Sequence, residues 1–263
     1  MLGAGRLGLY NSNPVDEGFS RTAKTVTLGT DHSYDTGTYK FGSASLLNEL
    51  ADYKNTFTEA HTDFQIESGD DFTVEFWVYP FNLAGDSRPL LILMDDIGTT
   101  NPSGLGGGDF CIAVMIKSGG VNGDYVSCYI PNGSGGVSYV QFGTFTSTIQ
   151  TSQWQHIAVC RSSGVMRGFI NGEEGSQTFP TSGTDNRTLV QTTGNTPPRL
   201  WLGNSPASGE TNRFKGWIDD VRLTRSALYT ADFVPSTSAL VNETDTVLLL
   251  HLDSNTDDDN TST

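Results

Sequence analysis

The sequence has few cysteines and few basic residues, and both shortages narrow the class of protein. Its 3 cysteines, Cys111, Cys128 and Cys160, include no CxxC pair and have no histidine at metal-ligand spacing. We expect neither a disulfide framework nor a zinc site, and interpret all three as small core residues. Lys and Arg number 15 against 30 Asp and Glu, a formal net charge of −15. Such a surface repels phosphate backbones, so we expect no nucleic-acid partner.

Long apolar runs are also missing. The longest, PLLILMD at 89–95 and TVLLLHL at 246–252, have the length of a strand, whereas a membrane-spanning helix needs about 20 apolar residues. We therefore expect no membrane insertion. The first residues, MLGAGRLGLYNSN, lack the apolar core and cleavage site of a secretory signal, so export by that route is not expected.

Short segments that alternate apolar and polar residues fill the chain, and clusters of Gly, Asn, Asp, Ser and Pro separate them. In DFTVEFWVYP at 71–80, alternation sets Phe72, Val74, Phe76 and Val78 on one face and Thr73, Glu75, Trp77 and Tyr79 on the other. Asn171-Gly172 predicts a tight hairpin turn, because both positions need a positive φ. About a dozen short strands cannot form one flat sheet, so we predict an all-β protein, a two-sheet antiparallel β-sandwich.

The strand pattern continues across three long loops, at 95–109, 180–198 and 203–213. None has the composition of an interdomain linker. We predict one domain over residues 1–252 and an acidic, mobile tail at 253–263. Two alternatives stay open for 246–252, which either complete this sandwich or begin a neighbouring repeat.

The stretch GWIDDVRLTRSALYTADFVP at 216–235 places a carboxylate in an apolar row. In a regular strand, Trp217, Asp219, Val221 and Leu223 share one face. An ionised carboxylate that faces a core must be paired or hydrogen-bonded.

Candidate partners for Asp219 follow it closely in the chain. They are Arg222, Arg225, the Tyr229 hydroxyl and the backbone N–H groups of the turn SALYTADF. We interpret Asp219, with Arg222 and Tyr229, as a structural latch that pins this turn to the sandwich, in preference to a metal ligand or a catalytic group.

Three segments, in this order and at this spacing, resemble the concanavalin A-like jelly roll of laminin-G-like and pentraxin-like domains. They are DFTVEFWVYP at 71–80, WQHIAVCRSSGVMRGFINGE at 154–173 and FKGWIDDVRLTRSALYTADFVP at 214–235. Upstream, YKFGSASL at 39–46 is similar to the first core strand of that family. The resemblance implies two curved antiparallel sheets and, usually, binding without catalysis.

The same jelly roll also carries glycoside hydrolases, which need two carboxylates flanking the scissile bond. Their usual strand signature, Glu-x-Asp-x-x-Glu, is missing from this sequence. Glu75 stands alone on its strand, and the adjacent Asp219 and Asp220 point to opposite faces of a regular strand. The 4 histidines have no Ser or Cys nucleophile motif beside them. We therefore expect a protein that is not an enzyme.

The segments IDDVRLTRSALYTADFVP and VLLLHLDSN look like those of jelly-roll modules in phage tail fibres and capsid decorations. A virion protein is assembled in the host cytoplasm without a secretory signal and is later exposed on the particle exterior. This resemblance implies a virion structural and binding module, with other virion proteins or further copies of itself as partners and a cell-surface glycan as candidate ligand. The alternatives are a bacterial surface lectin or adhesin module and, less favoured, a polysaccharide hydrolase.

Three aromatic residues are the candidates for sugar stacking. Tyr34 and Tyr39 lie in the polar stretch YDTGTYK, and Trp217 lies in the apolar row described above. Each of the three also fits a packing role, because aromatic side chains carry much of the core energy of a protein.

Calcium is the candidate cofactor, because oxygen ligands from Asp, Asn and carbonyl groups on loops are what it takes. Asp95, Asp96 and Asp109, with Asn101, border the Gly-rich loop 95–109. Their spacing is not that of an EF-hand, and the same residue types also form turns.

If this loop binds calcium, millimolar calcium should raise the melting temperature and a chelator should lower it, because a ligand of the folded state stabilises that state. Differential scanning fluorimetry with calcium, with magnesium as the control cation and with chelator measures the effect. A melting temperature that calcium leaves unchanged contradicts the prediction.

Overall fold

The computed structural model describes residues 23–29, 32–49, 56–83, 87–95, 111–120, 123–134, 137–191, 196–203 and 214–253. These residues form two antiparallel sheets, whose strands are numbered here in chain order, and one turn of 3-10 helix at Thr62–Phe64. No helix in this part of the chain is long and apolar enough to cross a membrane.

The first sheet has seven strands, and every neighbouring pair in it is antiparallel. In spatial order they are β1 (Val26–Thr27), β4 (Thr56–Thr58), β13 (Pro198–Leu202), β6 (Ser87–Asp95), β7 (Cys111–Gly120), β8 (Gly123–Pro131) and β9 (Val137–Gln141). Alternation in the sequence predicts the five longer strands but misses β1 and β4, which are too short to show a period.

The second sheet has eight strands. In spatial order they are β12 (Glu173–Glu174), β11 (Val165–Ile170), β10 (Gln155–Ser162), β5 (Phe72–Asn82), β14 (Lys215–Thr224), β3 (Ser45–Asn48) and β2 (His32–Asp35), and β15 (Thr246–Leu250) pairs with β14 beside them. Asn171 and Gly172 form the two-residue turn between β11 and β12, with φ of 52° and 80°. The pairing of β15 places it in this sandwich.

The two sheets pack against each other through one large apolar cluster. Phe72, Val74, Phe76 and Val78 of β5 all lie in it and are buried, which confirms the predicted inward face. The first sheet contributes alternate residues of its central strands: Leu91, Leu93, Ile112, Val114 and Ile116. Burying one such side chain contributes roughly 1.5 to 3 kcal/mol. The chain therefore forms the predicted two-sheet jelly roll.

Two of the three cysteines are buried free thiols, as interpreted from the sequence. Cys128 lies in the main cluster, and Cys160 lies in a smaller one on the other side of the second sheet. Burial raises the pKa of the Cys160 thiol to about 12, so this side chain is a weak nucleophile at neutral pH. The side chain of Cys111 lies outside the described part of the chain.

Between Asp219 and Arg222, strand β14 contains one extra residue relative to β5. Asp219 pairs with Trp77, but the next paired residue is Arg222, opposite Glu75, so three steps on β14 match two on β5. Asp220 lies within this β-bulge and has a positive φ of 54°. The bulge breaks the alternation of the strand.

Because of the bulge, the apolar row expected from the sequence is divided between the two faces of the sheet. Val221 and Leu223 lie in the main apolar cluster between the sheets. Trp217 and Asp219 instead lie on the outer face of the second sheet, which is the face turned away from the first. Asp219 is therefore not a carboxylate in a row of core residues.

Residues 225–245, called the strap here, contain no strand and cross the outer face of the second sheet. Tyr229 and Phe233 of the strap stack with their ring centroids 3.5 Å apart. Both rings pack against a small apolar cluster that contains Ala158 and Phe169. The strap thereby buries side chains on a sheet face that would otherwise meet water.

A buried ion pair beneath the strap joins β5 to β14. Glu75 Oε1 accepts hydrogen bonds from Arg222 Nε at 2.9 Å and from Nη2 at 2.5 Å. Its Oε2 accepts one from the Tyr229 hydroxyl at 2.8 Å and lies 3.0 Å from His156 Nε2. Arg222 Nη1 donates to the carbonyl of Val241 at 2.5 Å, so the pair also holds the far part of the strap.

The surroundings of Glu75 favour its ionised form. The carboxylate is fully buried, and burial alone raises a carboxyl pKa. Hydrogen bonds and charges from His156 and Arg222 outweigh this effect and hold the pKa of Glu75 below its ordinary value. Glu75 and Arg222 thus form a compensated pair, and removal of Arg222 leaves the buried carboxylate with only His156 and Tyr229 beside it.

We expect Arg222→Met to lower the free energy of unfolding by about 3 to 5 kcal/mol, because it removes the guanidinium that faces the buried Glu75 carboxylate and leaves only His156 and Tyr229 beside it. Arg167→Met is the matched control: its bridge to Glu174 spans 3.1 Å and both side chains are about a fifth exposed, so the loss should be about 0 to 1 kcal/mol. Urea unfolding of both variants measures the difference. Equal losses contradict the structural role of the buried pair.

Candidate functional site

Four aromatic side chains lie together on the outer face of the second sheet and form what we call the aromatic platform. Trp217 of β14 meets Tyr79 and Phe81 of β5, with ring centroids 5.1 and 5.3 Å apart. Trp154, just before β10, meets Tyr79 at 5.6 Å. All three contacts are edge-to-face or nearly so, a favourable geometry for aromatic pairs. The platform is open to solvent: Phe81 is 37% exposed and the other three are half-buried.

Strand geometry places these rings side by side. Trp217 pairs directly with Tyr79 across the ladder, and Phe81, which lies at an irregularity in the pairing of β5 with β14, also meets the Trp217 ring. Alternation in the sequence assigns Tyr79 to the outer face, but only the strand register shows that it meets Trp217. Tyr79 and Phe81 were missed as site residues for this reason.

A loop of residues 35–44, called the platform loop, borders the aromatic platform. Asp35 Oδ2 accepts a hydrogen bond from the Trp217 indole Nε1 at 2.6 Å, and its Oδ1 accepts one from the Gly37 N–H at 2.7 Å. Tyr39 is 44% exposed on this loop, whereas Tyr34 packs against the main apolar cluster. Of the three candidate stacking residues, Trp217 therefore lies in the platform and Tyr39 lies on the adjoining loop. Tyr34 packs against the core instead.

Asp219 holds the platform loop, not the turn that follows β14. Its Oδ2 accepts hydrogen bonds from the backbone N–H groups of Lys40 at 2.8 Å and Phe41 at 3.2 Å. The predicted partners were wrong: Arg222 and Tyr229 bind Glu75 instead. The bulge explains this, because it leaves Asp219 beside the loop and moves Arg222 next to Glu75.

The Arg225 side chain, the other cationic candidate, is also engaged elsewhere. It forms an ion pair with Asp70. A latch at Asp219 thus exists, but it joins β14 to a segment 179 residues earlier in the chain. No local sequence signal identifies such a distant partner.

Burial raises the pKa of Asp219 to about 7. The carboxylate is fully buried, and its Oδ1 has no hydrogen-bond partner among the described residues. The N–H groups of Lys40 and Phe41 act to lower this pKa, whereas the nearby charges of Asp220 and Asp253 act to raise it. Desolvation is the largest of these effects, so the neutral acid is favoured below neutral pH.

Asp253 holds the end of the platform loop. Its Oδ1 accepts hydrogen bonds from the backbone N–H groups of Ser43 at 2.5 Å and Ala44 at 3.0 Å. The tail expected from the sequence begins at residue 253, but these contacts attach Asp253 to the platform loop. Residues 254–263 lie outside the described part of the chain.

The calcium candidates fall in a segment that the structure does not describe. Asp96, Asn101 and Asp109 lie outside the described residues, and only the backbone of Asp95 is described, at the end of β6. Among the described residues, no group of three or more His, Cys, Asp or Glu side chains is placed to hold a metal ion. Calcium binding by the loop 95–109 stays a prediction.

We expect the protein to melt at a higher temperature at pH 5 than at pH 8, and Asp219→Asn to reduce this difference. The folded-state pKa of about 7 lies above the ordinary 3.8, so the stability from the neutral acid is complete below 3.8 and is lost as the pH rises to about 7. Asp232→Asn, at an exposed strap residue, is the control and should keep the pH dependence of the parent. Identical pH dependence in the parent and in Asp219→Asn contradicts the prediction.

Comparison with known proteins places this architecture in a family. The family model described as "Concanavalin A-like lectin/glucanases superfamily" (Laminin_G_3) matches residues 52–232. No curated protein matches the chain in sequence.

Solved structures with a similar fold come from several kinds of protein. Domain 4 of the arabinanase AbnA from Geobacillus stearothermophilus is 18% identical, with a TM-score of 0.48, covering 78% of this chain and 84% of that one. The SAP-like pentraxin of Limulus polyphemus is 14% identical, with a TM-score of 0.48 and coverages of 70% and 76%. The enzymatically active domain of tailspike protein 2 from bacteriophage CBA120 is 11% identical, with a TM-score of 0.56, covering 95% of this chain and 35% of that one.

At 11% identity and a TM-score of 0.56, the tailspike domain shows a shared fold and nothing more specific. The family match, by contrast, spans more than half of the sequence and includes β5, β10 and β14. The chain therefore belongs to the concanavalin A-like lectin/glucanases superfamily.

Proposed function

We propose that this protein is a non-enzymatic binding module of a phage virion and that its aromatic platform binds a cell-surface glycan. The observation that carries the proposal is the cluster of Tyr79, Phe81, Trp154 and Trp217 on the outer face of the second sheet. A sugar ring has an apolar C–H face and polar edges. Exposed aromatic rings can stack on the apolar face, while nearby polar groups form hydrogen bonds with the polar edges.

The platform is held rigidly before any ligand arrives. Trp217 donates its indole N–H to Asp35, and Tyr79 is packed between Trp154 and Trp217. Rings that are already ordered lose little rotamer entropy when a ligand stacks on them. Tyr39 and Lys40, on the adjoining loop, would supply a hydroxyl and an ammonium group to the polar edges of a sugar.

The strand carboxylates support a role in binding without catalysis. Glycoside hydrolysis by two carboxylates requires both to reach the substrate. Glu75 is buried and paired with Arg222, and Asp219 is buried beneath the platform loop. Neither carboxylate is free to act on a ligand that lies on the platform.

The virion role rests on the sequence resemblance and on the fold shared with the bacteriophage CBA120 tailspike domain. In such a particle the protein would be exposed on the exterior and surrounded by other virion proteins or by copies of itself. Weak binding at each platform would then add up, since linked copies act at a high effective concentration. A bacterial surface lectin or adhesin is the alternative, and a polysaccharide hydrolase is a third.

We expect the multimerised protein to bind particular sugars on a glycan array and Phe81→Ala to lower that signal, because it removes an exposed ring of the platform. Tyr139→Ala is the matched control: Tyr139 is 38% exposed, close to the 37% of Phe81, but lies on β9 of the other sheet. An equal loss of signal in both variants contradicts the assignment of the platform.

A reducing-sugar assay on polysaccharides, run beside the array, separates the functional classes. Steady release of sugar would establish a hydrolase and end the present proposal. If the array shows no binding and the assay shows no sugar release, a purely structural decoration protein is favoured. Antibody labelling of intact phage particles that encode the protein tests its exposure on the virion.

A further inference from the structure

We propose that Asp219 controls whether the platform loop is closed and thereby makes binding at the aromatic platform depend on pH. The effect on binding rests on the proposed function. The movement of the loop does not, and it can be measured without any sugar.

Three carboxylates hold the platform loop to the second sheet and to the segment after β15. Asp35 is bonded to the Trp217 indole, at the start of the loop. Asp219 accepts hydrogen bonds from the N–H groups of residues 40 and 41, in the middle of the loop. Asp253 accepts hydrogen bonds from those of residues 43 and 44, at the end of the loop. The middle attachment is the one whose acceptor is fully buried.

The loop itself covers the Asp219 carboxylate. Asp219 and Trp77 are paired across β14 and β5, and the loop lies over both. The Lys40 ammonium is 4.0 Å from the centre of the Trp77 ring, and the Phe41 ring meets that of Trp77 edge-on at 5.8 Å. If residues 40 and 41 lift away, the carboxylate loses two hydrogen bonds and regains contact with water.

Closure of this loop therefore favours a proton on Asp219. In the closed state one oxygen accepts two N–H groups, and the other is buried without a hydrogen-bond partner among the described residues. Burial of an ionised carboxylate with one unsatisfied oxygen costs free energy that the neutral acid avoids. The pKa of about 7 in the closed state agrees with this geometry.

Charged groups around Asp219 act in both directions. The Lys40 ammonium, on the loop, attracts the ionised carboxylate. Asp220 on β14 and Asp253 after β15 repel it. Burial, the largest effect, and the two repelling carboxylates together exceed the lowering by the Lys40 and Phe41 N–H groups, which leaves the pKa of Asp219 raised.

The remaining ionisable neighbours are engaged with one another. On β5, β10 and β14, Glu75 contacts His156 and Arg222. After β15, His251 Nδ1 lies 2.5 Å from Asp220 Oδ1. Asp219 is thus the buried group of this region whose protonation is tied directly to the platform loop.

The direction of the pH effect follows from linkage. An Asp219 exposed by an open loop would titrate near the ordinary 3.8, and in the closed loop it titrates near 7. Between these values the closed state weakens by up to about tenfold per pH unit, and it levels off above the higher one. Opening moves Tyr39 and Lys40 away from the sheet, so the platform loses this part of its ordered border at alkaline pH.

Hydrogen–deuterium exchange of the full chain measures the loop directly. Protection of the Lys40 and Phe41 amides, corrected for intrinsic exchange rates, is followed from pH 5 to pH 8.5 against a core peptide from β5. We expect it to fall several-fold up to about pH 7 in the parent protein and to stay level in Asp219→Asn. Constant protection in the parent, or the same fall in Asp219→Asn, overturns the proposal.

Lys40→Gln provides a second test that does not alter the buried residue. It removes the ammonium group but keeps the backbone N–H, so the pKa of Asp219 should rise and the fall in protection should level off at a higher pH. A transition at the same or a lower pH overturns the assignment to Asp219, and this holds even if Asp219→Asn fails to fold.

The glycan array separates the loop from the function. For any sugar that the multimerised parent binds, we expect several-fold more signal at pH 5 than at pH 8, and equal signal at both overturns the coupling to binding. An array that is silent at both values contradicts the proposed function, and the exchange experiment then decides the behaviour of the loop alone.

Discussion

The extra residue at Asp220 in β14 is the constraint on which both faces of the second sheet depend. Before the bulge, Trp217 and Asp219 lie on the outer face. After it, Val221 and Leu223 enter the core between the sheets. An unbroken alternation would have placed Asp219 and Val221 on the same face. A bulge keeps the apolar residues in the core and still leaves the carboxylate at the surface of the sheet, where the chain can cover it.

Two buried carboxylates then attach the irregular parts of the chain to this sheet. Glu75 holds the strap through Arg222 and Tyr229. Asp219 holds the platform loop through two backbone N–H groups. Their electrostatics differ, because Glu75 has a cationic partner and Asp219 has only dipoles and a partly solvated ammonium group nearby. The pKa of Glu75 is therefore held below its ordinary value, whereas burial raises the pKa of Asp219 to about 7.

The aromatic platform lies where these attachments meet. Its rings come from β5, β14 and the residue before β10, and its border comes from a loop far away in sequence. The same sheet thus supplies a packed inner face, a face covered by the strap and an aromatic area that stays in contact with solvent. The proposed binding surface therefore lies on the same sheet as the two attachments.

The sequence by itself determined the fold class. Period-two alternation in β5, the Asn171-Gly172 turn and the separated short strands require stacked antiparallel sheets, because each strand has an apolar face to bury. It also identified Trp217 and Asp219 as unusual residues. These inferences depend on local spacing, which is visible in a linear chain.

Tertiary structure alone decided what those residues contact. The bulge at Asp220 is a property of the pairing between β14 and β5, so it has no signature in β14 alone. The partners of Asp219 lie at Lys40 and Phe41, and Glu75 gains its partners only when three strands and the strap come together. Tyr79 and Phe81 became part of the platform through strand register. Spacing along the chain specifies faces and turns, whereas partners across a sheet are set by register and burial, which exist only in the folded molecule.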